Sequence, residues 1–260
     1  MATLTDPARE LADLAERIKA TSKKRGDAYL AEMFDVDTHD ANFARIITCI
    51  LERTELVESI VEKSTMDSDH QETVLAELVR FRQFFTPAQL ANHWLQGSQG
   101  EFTGCIRALQ LLSPMVRNHT SYPRLSAAEV SEFIGLIDAY LGEIRENQDL
   151  PNLVRQSISD GMYAFRFQLQ EIGWLGSGYA LAAFRQIMMS CELIQRDIQG
   201  QHNPDAEAAL RGLATILKQF KAKVDEATGW TDTGQSVFSA YQLTTTLATP
   251  LLIGQALISR

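Results

Sequence analysis

Apolar positions recur at steps of three and four over most of this chain, most clearly between residues 151 and 199. Val154, Ile158, Met162, Phe165, Leu169 and Ile172 form one stripe, and Leu181, Phe184, Met188, Cys191 and Ile198 form another. That spacing sets each group on one face of an α-helix. Gly173-Trp174-Leu175-Gly176-Ser177-Gly178 separates the segments, so the pair predicts an antiparallel helical hairpin with facing stripes.

The remaining stripes follow from start and stop signals. Asp6-Pro7 opens a helix marked by Leu11, Leu14 and Ile18 and predicted to end near Gly26. A short piece over 28–33 follows. Thr38 or Asp40 then caps a helix with Phe43, Ile47, Ile50, Val57 and Val61 on its apolar face, and Asp67-Ser68-Asp69 caps the next, with Val74, Leu75, Leu78, Phe81 and Phe85 inside. Thr86-Pro87 begins a short helix with Leu90, Trp94 and Leu95. Phe102, Ile106 and Leu109 belong to another, predicted to stop at Ser113-Pro114 because proline displaces its predecessor from helical geometry.

Ser126 and Glu129 have capping-box spacing ahead of Val130, Phe133, Ile137, Tyr140, Leu141 and Ile144. Asn203-Pro204 starts a helix with Leu210, Leu213, Leu217, Phe220 and Val224, and a last helix is predicted from about Gln235. No run alternates with the two-residue period of a strand. The prediction is an all-α fold, a bundle of roughly ten helices in antiparallel hairpins with no β-sheet. The loop over 119–124 divides the chain into an N-terminal half, 1–120, and a C-terminal half, 121–260, built around the 151–199 hairpin. A single continuous domain is the alternative.

Charge narrows the partners. The chain has 24 basic and 33 acidic residues and a formal net charge of −9, which disfavours phosphate backbones except for RNA at a local site. The basic run Lys23-Lys24-Arg25 suits the C-terminal end of a helix. Apolar residues make up 45%, enough for a buried core. Cys49, Cys105 and Cys191 lie far apart among apolar neighbours. They read as core residues in a reducing compartment, and charged residues close to the N-terminus argue against a secretory leader. Both point to the cytoplasm.

No charged residue occurs from Thr233 to Ser259. A bilayer crossing needs about 20 apolar residues, but Gln235, Gln242, Gln255 and Pro250 interrupt this span. The favoured reading is a core or self-association helix, with Tyr241, Leu247, Leu251, Leu252 and Ile258 at the interface. Membrane contact is the less favoured one.

Chemical signals are sparse. Asp35-x-Asp37-x-His39-Asp40 begins like a calcium loop, but its sixth and twelfth positions hold Asp40 and Ile46 rather than Gly and Glu. With Asp67 and Asp69 it resembles the magnesium-binding aspartates of helical prenyl-transferring enzymes. Helix capping explains both groups more simply, and no metal or cofactor is implied. The segment from Arg196 to His202 resembles the Arg…His signature of HEPN ribonucleases, which implies a histidine acting as general acid or base and an arginine stabilising phosphorane charge. The resemblance covers only these residues. Gly200 and Asn203-Pro204 place His202 in a loop, whereas the family holds both residues on or beside one helix. A helix end is the preferred reading.

Aromatic and methionine side chains crowd the hairpin beyond what one face requires. Tyr163, Arg166, Trp174 and Met188 are the candidate pocket residues, and a buried Arg166 calls for a carboxylate, with Asp160 or Glu171 nearest in sequence. The sequence favours a protein that acts through contacts with itself or another protein, in a regulatory or immunity-type role, over an enzyme.

Overall fold

The structure is a computed structural model that describes residues 4–198 and 204–228, with side chains at 4–190 and 204–223. It is mostly helical. Eleven helices and one two-stranded pairing occur among the described residues, in two compact units.

The unit over residues 5–121 contains α1 (Pro7–Ile18), α2 (Gly26–Phe34), α3 (Ala41–Glu62), α4 (Ser68–Gln83), α5 (Pro87–Leu90) and α6 (Gln99–His119). Helix α1 packs on α3 and α6, and α4 packs on α3 and α6. Leu11, Leu14 and Ile18 of α1 are fully buried, as their spacing predicts. Trp94 lies at the centre of a ring cluster with Phe85 and Phe102, its indole N–H donating to the Ile18 carbonyl at 2.7 Å. The arrangement buries the ring while satisfying its one polar atom.

Several boundaries in this unit differ from expectation: α4 ends at Gln83, short of Phe85, and α5 at Leu90, short of Trp94 and Leu95. Helix α1 stops at Ile18 rather than near Gly26. Ser22 N–H donates to the Trp94 carbonyl at 3.1 Å, Gly26 N–H to Asn92 at 2.8 Å, and Trp94 N–H to Lys24 at 3.0 Å, so the following backbone bonds to a distant segment instead. Lys24 and Arg25 therefore precede α2, where they pair with Glu32 and Asp27. Helix α6 runs through Pro114 to His119. Proline in a helix interior costs about 3 kcal/mol, but Leu112, Ser113 and Val116 on both sides of it are buried. Continuing the helix keeps them there.

The other unit takes Leu4 and the chain from Tyr122 onward. Leu4–Thr5 (β1) pairs with Tyr122–Pro123 (β2), which corrects the expectation of no β-sheet. A two-residue strand is too short to show a period, and its partner lies more than a hundred positions away in the sequence. The unit continues with α7 (Ala127–Glu146), α8 (Asn152–Gln170), α9 (Ile172–Leu175), α10 (Ser177–Ile198) and α11 (Pro204–Thr228). Helix α8 packs on α7 and α10, and α11 on α10 and α7. Val154, Ile158, Met162, Phe165 and Leu169 of α8 are buried, and Phe220 of α11 meets Phe133, Phe165 and Phe184 with ring centroids about 5 Å apart. The glycine-rich turn of the predicted hairpin is α9 followed by Gly176 at φ 91, a backbone conformation that favours glycine.

Among the described residues no helix is long and apolar enough to cross a membrane. The uncharged stretch 233–259, with Tyr241, Leu247, Leu251, Leu252 and Ile258, lies outside the described residues.

Candidate functional site

The most developed polar arrangement on the surface runs along the seam of α7 and α8. Local chemistry builds it. Ser126 and Glu129 form the predicted capping box at the start of α7, with Glu129 Oε2 accepting from Ser126 N at 2.8 Å and Ser126 Oγ accepting from Glu129 N at 3.3 Å. These bonds from the Ser126 backbone and side chain hold the Glu129 carboxyl below its usual pKa. At the other end, Arg155 Nη2 donates to the Asn147 and Leu150 carbonyls at 2.6 and 3.1 Å, fixing the turn into α8.

The seam then has two polar rungs. Arg166 Nε donates to Asp138 Oδ1 at 2.6 Å and Nη2 to Oδ2 at 3.2 Å, a two-point grip that matches the planar fork to the carboxylate. Its Nη1 donates to Gln170 Oε1 at 2.9 Å. The Asp138 bonds hold the Arg166 proton more tightly than usual. Two turns along α7, Arg145 Nη2 donates to the Tyr163 hydroxyl at 2.9 Å. Tyr163 is 46% exposed, and Arg145 has no carboxylate within ion-pair distance among the described residues.

Two of the four candidate pocket residues, Tyr163 and Arg166, thus share one outward face. Trp174 on α9 and Met188 on α10 are half-buried. The partner of Arg166 is Asp138 on α7, not Asp160 or Glu171. Residues five or six apart on a helix do not face each other, which removes both neighbours. Asp138, Arg145 and Gln170 escaped sequence reading because each is an ordinary polar position on an outward helix face. Arg196 lies within α10, but its side chain falls outside the described set, as does His202.

Asp6, Ser113, Arg53, Cys105, Asp40 and Asp67 have structural partners. Asp6 is fully buried. Its Oδ1 caps α1 by accepting from Arg9 N at 2.9 Å, and Oδ2 accepts from Ser113 Oγ at 2.7 Å and Arg117 Nη2 at 3.3 Å. Ser113 thus donates to a carboxylate that also caps α1 and holds Arg117, a bond that ties the two helices together. Arg53 is buried against Glu10 at 3.8 Å, its Nε donating to the Cys49 carbonyl. Cys105 Sγ donates to Glu77 Oε2 at 3.5 Å, and burial, reinforced by that carboxylate, pushes its pKa up to about 12. It is a thiol at neutral pH and no nucleophile. Asp40 and Asp67 are helix caps, accepting from Asn42 N and Asp69 N. Among the described residues no group of three potential ligands could hold a metal ion.

Comparison of the chain with protein-family models, with curated proteins and with solved structures finds no match.

Proposed function

We propose that this protein is a cytoplasmic helical bundle of antiparallel hairpins that works by protein–protein contact, self-associating in a regulatory or immunity-type role. The observation that carries this reading is the outer face of α7 and α8. It presents a half-exposed tyrosine bonded to an arginine whose charge has no carboxylate partner among the described residues. Tyrosine and arginine dominate the energetics of protein interfaces because they offer large contact area with a polar end. Leu153 at 73% exposure and Met189 at 53% add apolar surface on α8 and α10.

Antiparallel packing is supported by two contacts between α8 and α10. A Cβ at Gly161 would lie 3.3 Å from Ile187, and Phe165 meets Phe184, so positions rise on one helix as they fall on the other. Cys49 and Cys105 are buried thiols, which fits a reducing compartment. Light scattering over a concentration series tests the reading. The expected mass is a multiple of the 29.0 kDa chain that falls on dilution, and a strict monomer throughout would count against self-association.

A further inference from the structure

We infer that the surface through which copies of this chain meet is the outer face of α7 and α8, with the Arg145 guanidinium receiving a carboxylate of the second copy and Tyr163 serving as the anchor that contact buries. This rests on the self-association proposed above and names its site.

Arg145 brings an available positive charge to this face. Several surface arginines already hold acids, among them Arg9 with Asp13, Arg82 with Glu55 and Arg166 with Asp138. Arg145 instead spends one N–H on a neutral hydroxyl, leaving most of its five donors for an outside acceptor. The Tyr163 bond also restrains the side chain before docking, which lowers the entropy lost on binding. Arg166, fixed by Asp138 and Gln170, gives the same face a rigid second rung.

The occupant follows from charge complementarity. A chain with 33 acidic and 24 basic residues offers mainly carboxylates to an arginine that has none among the described residues. Two of them, Glu143 and Glu146, are exposed on α7 itself, two residues before Arg145 and one after it. A twofold contact brings the same patch of both copies together, so Arg145 of one copy meets Glu143 or Glu146 of the other, and the reverse pair forms by symmetry. The backbone leaves room for this approach, since a Cβ at Gly142 would meet nothing within 4 Å.

Sedimentation velocity on the full chain, over a range of concentrations at low and high salt, tests the site. Arg145→Glu is expected to weaken self-association about tenfold or more, as for loss of a close interfacial charge pair, with unchanged helical circular dichroism. Tyr163→Ala weakens it as well, while Arg145→Lys weakens it less and higher salt loosens the wild type. Adding Glu146→Arg to Arg145→Glu restores association, an outcome that mere loss of folding cannot produce. If the wild type associates and folded Arg145→Glu associates equally well, this face is overturned while self-association stands. Wild-type protein that stays monomeric overturns both.

Discussion

Glu58 carries a testable electrostatic signature. Its side chain is 14% exposed on α3, its Oε1 is 3.5 Å from Arg82 Nε, and Arg82 is also held by Glu55. Burial raises the Glu58 pKa above 4.5; Arg82 opposes the shift, and Glu55 and Glu62 add to it. Between the unfolded and the raised folded value the folded state binds more protons, so stability falls as pH rises through that window. Ionised Glu58 is therefore a cost at neutral pH. Denaturant unfolding of Glu58→Gln is expected to show a higher midpoint than wild type near neutral pH, and little difference in acid, where both side chains are uncharged. A lower midpoint at neutral pH would show the Arg82 pairing to outweigh burial. Residues also mark how far the sequence can be read. Asp6-Pro7 announces a helix cap, and Asp6 is one, yet its bond to Ser113 spans 107 positions and nothing local announces it. Asp138 beneath Arg166 is hidden for the same reason.

Elements were legible where their ends are fixed by neighbours in sequence. The Ser126 and Glu129 box, the Asp40 and Asp67 caps and the buried stripe of α8 all follow from short-range spacing. The early end of α1 and the passage of α6 through Pro114 depend on partners far along the chain. Gly26 shows how tight one such junction is. Added to Gly26, a Cβ would lie 3.1 Å from Leu90 Cα and 3.1 Å from Trp94 Cε3, and the backbone contact cannot be relieved by a rotamer change. Gly26→Ala is expected to destabilise the protein by about 1–3 kcal/mol through overpacking, measured by chemical denaturation. At Gly161 the close neighbour is Ile187 Cγ1 at 3.3 Å, a side-chain atom able to shift, so alanine there costs less. Equal stability of Gly26→Ala and wild type would contradict the packing described for α2.

At the scale of the molecule, each unit has its own aromatic centre: Trp94 with Phe81, Phe85 and Phe102 in one, Phe220 with Phe133, Phe165 and Phe184 in the other. Helical periodicity made the class of fold readable, because most apolar side chains repeat on the faces that are buried. The candidate site was only half readable. Tyr163 and Arg166 drew notice through the aromatic crowding around them, but the α7 residues that complete the row have no period or motif of their own. The central claim is that this row is a contact surface between copies of the chain. It is tested most directly by replacing exposed Gln156, two turns before Tyr163 on the same face of α8, with the photo-reactive p-benzoylphenylalanine and irradiating the folded protein. The account predicts a covalent species of twice the chain mass whose linked peptides come from α7 of the second copy. Irradiated protein that remains single-chain at concentrations where wild type associates, or links that map away from α7 and α8, would contradict it.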